Sequence, residues 1–145
     1  MGDTQGRADE KFHRAVSRFN HTFSQGLIDE VVQLFSKDAK MMWPSMEDIV
    51  GREAIRSALG EFFGQFTPLA FEPNRQIVEV CGNKAFTIGR FIEDLAPKEG
   101  GSAHRVHGRL VEMWSLTDEG DWVIELLITT RYADNEILVE DSASA

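Results

Sequence analysis

Three features of this 145-residue sequence predict an α+β fold, with about three N-terminal helices gathered on one face of a curved antiparallel sheet. Apolar residues recur with a helical period in the first half and with a period of two from Pro68 onward. Turn signals, CGN, APKEGG and TDEGD, cut the second half into four segments joined by short connections. At 42% hydrophobic content, a chain of this length can fill one core and not two.

The elements follow in order. Phe12, Val16, Phe19 and Phe23, at spacings of four, three and four, mark the inner stripe of a first helix from about Asp9 to Ser24. Residues 1–8 carry no such period and are expected to be a flexible lead. Ser24, Gln25 and Gly26 break the helix. A short second helix in LIDEVVQLFS turns Ile28, Val31 and Phe35 inward. Lys40 to Trp43 read as a strand ended by a turn at Pro44 and Ser45. REAIRSALGEFFGQF, after Gly51, gives a third helix with Ile55, Ala58, Leu59, Phe62 and Phe66 on one stripe. The alternating segments LAFEPNRQIVEV, KAFTIGRFIEDL, SAHRVHGRLVEMWSL and WVIELLITTRY form an antiparallel meander, and a meander after three helices is an α+β arrangement. One domain thus spans residues 9–134. Residues 135–145 form an acidic tail whose end, Asp141 to Ala145, is expected to be disordered.

The formal net charge is −9 and the pI about 4.9, so the surface repels nucleic-acid phosphates and anionic lipid; neither is an expected partner. No apolar run approaches the roughly 20 residues that span a bilayer. MGDTQGRADE lacks the basic and apolar regions of a signal peptide. The single cysteine, Cys81, allows no intrachain disulfide. A cytoplasmic location follows as the expectation.

One position stands out within HGRLVEMWSLTDEGDW. Leu110, Glu112 and Trp114 alternate, which places a carboxylate on the same face as two large apolar side chains. If APKEGG is the centre of a hairpin, the register sets Arg90 about opposite Gly108. Arg90 then shares a face with Leu110 and Glu112, where it orients a ligand or pairs with an acid, unless a one-residue slip turns it to solvent. Phe19, Trp43 and Trp114 either fill the core or line a cavity for a flat or apolar ligand. His104 and His107, three apart on a strand, point to opposite faces and make no joint metal site. His104 shares a face with Glu112 but lies ~26 Å away along the strand, so both histidines read as solvated strand-end residues. No metal or cofactor is expected. On the opposite face, Arg105, His107, Arg109, Val111 and Met113, joined by Val123, Glu125, Leu127 and Thr129, surround an apolar centre with charge; this predicts a homodimer.

The element order, together with FSQGLIDEVVQLFSKDAKMMWP, VGREAIRSAL, AFTIGRF and GRLVEMW followed by DEGDW, resembles the nuclear transport factor 2-like superfamily. Within it the chain is most similar to the SnoaL-like and ketosteroid-isomerase-like proteins, over about Phe12 to Thr130. The resemblance implies a cone, the curved antiparallel sheet being closed by the helices around an apolar pocket. The tyrosine of the isomerases falls at Phe19 and their general-base aspartate at Trp43, so steroid isomerisation by their usual mechanism is not expected. Their second acid, the main acid/base group of SnoaL-like cyclases, falls at Glu112. The arginine of the limonene epoxide hydrolases would fall at Leu110. The resemblance implies an acid/base role for Glu112 in a pocket for which Phe19, Trp43, Arg90, Leu110 and Trp114 are the candidate lining; alternation with Leu110 and Trp114 predicts that apolar neighbours raise the Glu112 pKa, unless Glu112 is a structural group that pairs with Arg90 or accepts a backbone hydrogen bond. The function expected is isomerase, cyclase or dehydratase chemistry on a small apolar or aromatic metabolite, the alternative being a non-catalytic ligand-binding or dimeric assembly module.

Overall fold

A computed structural model of the chain describes residues 2–139. Helix α1 (Gly2–Ser24) buries Phe12 and Phe19 on the expected stripe. It starts at Gly2 rather than Asp9, so helical backbone runs through the segment assigned above to a flexible lead. Extending a helix already nucleated downstream costs little per residue, and no apolar period is needed to announce it. Gly26, at φ +67°, closes α1: its N–H donates to the Phe23 carbonyl and the Leu27 N–H to that of Thr22. This paired return is what a left-handed residue after a helix allows, and glycine adopts it without a Cβ clash.

Helix α2 (Ile28–Gln33) buries Val31 and Val32, and α3 (Arg52–Gln65) buries Ile55, Leu59 and Phe63. Between them lie β1 (Phe35–Met42), longer than the Lys40–Trp43 strand expected, and the two-residue β2 (Ile49–Val50). Strands β3 (Phe66–Cys81), β4 (Lys84–Pro97), β5 (Ala103–Leu116) and β6 (Trp122–Arg131) make the expected antiparallel meander. β1 joins β6 in parallel, which gives the order β2-β1-β6-β5-β4-β3. Part of the tail is ordered: β7 (Glu136–Leu138) pairs with the start of β5. Asp141 to Ala145 lie outside the described residues. Among the described residues, no helix is long and apolar enough to cross a membrane.

The helices cover one face of the sheet. The main core joins Phe12, Phe19, Val31, Phe35, Ile55 and Leu59 from the helical half to Trp114, Trp122 and Ile124 from the strands. A smaller cluster, Phe91, Leu95, Val106 and Leu110, lies further along β4 and β5, and Phe62 and Phe71 pack against both. Two of the four irregularities of register in the sheet matter most for its faces. In β3 the register with β4 shifts between Arg75 and Ile77; in β6 the register with β5 shifts between Leu126 and Ile124, leaving Glu125 as an extra residue. A bulge of this kind reverses the parity of every residue beyond it.

Candidate functional site

Between the two apolar clusters the cone encloses a cavity of about 480 Å³. Its wall is largely aromatic: Phe19 and Phe23 from α1, Trp43 at the end of β1, Phe62 and Phe66 at the end of α3, Phe71 from β3 and Phe91 from β4. Trp43 packs on Phe62 at a ring separation of 5.5 Å, and Phe71 links Phe23 to Phe91 at 4.9 and 5.9 Å. The lining also includes Leu110 and Leu127 and the polar side chains of Glu61, Gln65, Glu93, His104, Glu112, Thr129, Thr130, Arg131 and Asn135. An aromatic wall with a minority of polar groups is the usual character of a small-molecule site.

Glu112 is fully buried and faces the cavity, as its alternation with Leu110 requires. Its partners are not apolar. Arg75 Nε donates to Oε1 at 2.8 Å and Nη2 to Oε2 at 3.0 Å; the Thr87 hydroxyl donates to Oε1 at 2.7 Å and Trp114 Nε1 to the same oxygen at 3.4 Å. Arg75 is itself held by a bond from Nη1 to Asn20 Oδ1 at 2.9 Å, which ties α1 to the sheet. Arg75 reaches Glu112 because it stands opposite Gly89, where a Cβ would lie only 2.7 Å from the Arg75 Cα and 2.1 Å from the Asn74 carbonyl oxygen. Glycine there lets β3 approach and leaves no side chain in the path of the guanidinium. The hydration that Glu112 gives up is thus replaced by fixed donors and an opposite charge.

Glu93 is the contrasting case. It is 7% exposed, faces the same cavity from β4, and its Oε2 is buried without a hydrogen-bond partner among the described residues. Burial, and secondarily the negative charge of Asp94, push its pKa up to about 8. At neutral pH most of this carboxyl is therefore protonated and free to donate toward a ligand. His104 lies on the same face: Glu93 pairs with Val106 and Leu95 with His104, so the two are diagonal neighbours, their backbones about 7–8 Å apart.

The sequence-derived residues divide between cavity and core. Phe19, Trp43, Leu110 and Glu112 line the cavity. Trp114 does not: it is fully buried, meets Phe12 edge-on at 5.4 Å and belongs to the core, because α1 covers that end of the concave face. Arg90 is displaced by one residue of register. Arg109 is its partner, Phe91 faces Gly108, and Arg90 points to the convex side, where it lies over the Tyr132 ring at 5.1 Å. The room that Gly108 leaves is taken by Phe91, whose ring lies 2.3 Å from where a Cβ would be. The same slip concealed Glu93, which the structure places inward with Phe91 and Leu95. His104 is a half-buried cavity residue rather than a solvated strand end. Arg75 was not singled out from sequence either, although alternation with Phe71 and Pro73 along β3 places it on the inward side, opposite Gly89. Leu127 and Thr129 line the cavity instead of the convex face, because the extra residue Glu125 reverses their parity.

The comparisons with known proteins agree with this architecture. A crystal structure of a ketosteroid isomerase-like protein from Erwinia carotovora atroseptica superposes with a TM-score of 0.77 at 15% identity, covering 84% of this chain and 94% of that one. A hexachlorocyclohexane dehydrochlorinase (LinA) Type2 gives a TM-score of 0.78 at 13% identity, over 93% of this chain and 94% of that chain. An NTF2-like superfamily protein from Salmonella enterica serovar Typhimurium gives 0.76 at 16%, over 90% and 94%. At these identities the likeness is one of fold. No curated protein matches the sequence. The model of the SnoaL-like domain matches residues 16–125, most of the helical layer and all but the end of the meander, and the chain belongs to the SnoaL-like domain family.

Proposed function

We propose that the chain is an acid/base enzyme acting on a small ring-bearing apolar metabolite, in which Glu93 carries the transferred proton. One observation supports this above others: a carboxyl group buried in an aromatic cavity, protonated at neutral pH and with one oxygen unpartnered. A neutral carboxyl donates to a carbonyl or hydroxyl oxygen of the ligand. In an isomerisation it gives its proton to the carbonyl oxygen as a base removes the proton from the adjacent carbon; in a dehydration it protonates the departing hydroxyl. His104, on the same face, supplies the base. Glu112 has both oxygens engaged by Arg75, so in this reading the proton-carrying role assigned to it from sequence passes to Glu93, and Glu112 becomes the fixed charge that organises the cavity floor. The chemistry needs no cofactor, and a cytoplasmic setting fits it. Two structural neighbours, named a dehydrochlorinase and ketosteroid isomerase-like, suit this reaction class.

The test uses planar ring ketones such as 2-tetralone in D₂O, with deuterium entry at the carbon beside the carbonyl followed by proton NMR. The wild type should accelerate exchange, and Glu93→Gln should lose ~100-fold or more of that acceleration while still quenching Trp43 fluorescence on binding. Equal exchange by both proteins would remove Glu93 from the mechanism. A second reading, a non-catalytic binding module, is favoured by Phe19 and Trp43, which stand where the isomerases place a tyrosine and an aspartate. Quenching by ring ketones with no exchange in the wild type would select it.

We also propose that a second copy covers the convex face. There Phe86, Met113 and Leu126 form one cross-strand row and Ile77, Ile88, Val111 and Ile128 the next. Phe86, Met113, Ile77 and Ile88 are all exposed in the isolated chain. Glu79 extends the first row, and Arg90 and Arg109 lie beyond the second. A two-fold axis along the second row brings the arginines of one copy over Glu79 of the other, so apolar contact and charge are both complementary. Light scattering should report a dimer that Met113→Glu converts to a monomer; a monomeric wild type at micromolar concentration would exclude it.

A further inference from the structure

A second cleft, of about 500 Å³, opens on the other side of α1, away from the aromatic cavity. One wall is the helical stripe carrying Lys11, Arg14 and Arg18; Arg52, at the start of α3, and the β5–β6 turn make the rest. In a chain of net charge −9, four cations here face two carboxylates, Glu119 and Asp121. None of the four forms an ion pair among the described residues, and like charges at this helical spacing repel one another.

Arg52 shows that the cleft is built rather than incidental. Its Nε and Nη2 both donate to the Phe35 carbonyl oxygen, so the half-buried guanidinium is held in place by a neutral group and its charge is left uncompensated. A guanidinium fixed in this way loses little conformational freedom when it takes a further partner. Lys11 leans over the opposite lip, its Nζ 3.4 Å from where a Cβ on Gly120 would stand. The cations therefore converge on one space from two elements, α1 and α3, across from the β5–β6 turn.

We propose that this cleft binds a small multivalent oxyanion, a phosphoryl or polycarboxylate group, between Arg52 and the Lys11–Arg14–Arg18 stripe. The excess of positive charge favours more than one negative charge on the ligand, and guanidinium groups bond both kinds of oxyanion in paired fashion. The site is separate from the aromatic cavity and does not depend on the function proposed for it.

Isothermal titration of the full chain with sodium pyrophosphate and, separately, sodium citrate, at an ionic strength fixed with KCl, tests the site. Saturable one-to-one binding is expected for at least one of them; pyrophosphate alone would assign a phosphoryl group, and citrate alone a polycarboxylate. The exposed pair Arg14→Glu/Arg18→Glu should weaken that binding about tenfold or more, and Arg52→Gln, which can still donate to the Phe35 carbonyl, should do likewise. Glu93→Gln should leave it unchanged. Absence of saturable binding to either anion, or binding that survives Arg14→Glu/Arg18→Glu intact with α1 still helical by circular dichroism, would overturn the proposal.

Discussion

Glu93 and Glu112 face the same cavity from adjacent strands, both on the concave side and both almost wholly removed from solvent. Glu112 meets a guanidinium, a hydroxyl and an indole N–H; Glu93 meets aromatic and aliphatic carbon and the repulsion of Asp94. A carboxylate in the first setting is an anchored charge, and a carboxyl in the second keeps its proton. Burial alone thus says little about a carboxyl group's work in a site. The donors within reach decide it, and here the close approach of β3 at Gly89 supplies Arg75 to one residue and not to the other.

The largest expected effect comes from breaking the anchored pair. Glu112→Ala leaves the Arg75 guanidinium buried without its partner, since Asn20 alone cannot balance a charge, and should cost about 3–5 kcal/mol in urea unfolding. Arg75→Met should cost a similar amount. The double variant Arg75→Met/Glu112→Leu should recover most of the loss, because an apolar pair removes both desolvated charges together. Additive losses would mean that the two residues are not the coupled unit described.

The pH dependence of stability sharpens the other side of the comparison. Glu93 has a folded pKa of about 8 against 4.5 for the free side chain. Between these values the folded state holds a proton that the unfolded state releases, so stability is fully present below the lower value and falls as pH rises through the upper one. The loss by pH 7 is roughly 3 kcal/mol. Glu93→Gln cannot ionise. Its stability relative to wild type should therefore improve steadily from pH 5 to pH 8, and a difference that does not vary with pH would place the Glu93 ionisation elsewhere. Asp94→Asn should have the smallest effect. Asp94 is only the second cause of the shift, so removing its charge should lower the Glu93 midpoint by about one unit or less, read from the side-chain carbon signal in an NMR titration. A fall to the ordinary carboxylate range would make Asp94, and not burial, the dominant cause.

Much of the fold was legible because it rests on local periodicity. The stripes Phe12–Phe19 and Ile55–Leu59, the break at Gly26 and the three hairpin turns each follow from neighbouring residues, and the structure has the helices and strands they imply. β2 and β7 were not legible: two or three residues carry no period, and only pairing with β1 and β5 makes strands of them. In the candidate site, Phe19, Trp43, Leu110 and Glu112 could be placed by alternation or by family resemblance. Glu93 was hidden in FIEDL by a hairpin register one residue out, which turned Arg90 inward and its neighbours outward together.

The sequence by itself determined the three helices and the four strands of the meander, that Glu112 and Leu110 share an inward face, and that the chain folds as one α+β domain, since each depends on spacing along a single element. Only the tertiary structure decided that Glu112 is paired with Arg75, that Glu93 is the protonated group, that Leu127 faces the cavity and that Trp114 is core. Each of these depends on register between strands or on which end of the concave face α1 covers. Register is set by bulges at Gln76 and Glu125 and by close approach at Gly89 and Gly108. Those are contacts between segments far apart in the chain, and a period of two looks the same whichever neighbour it meets.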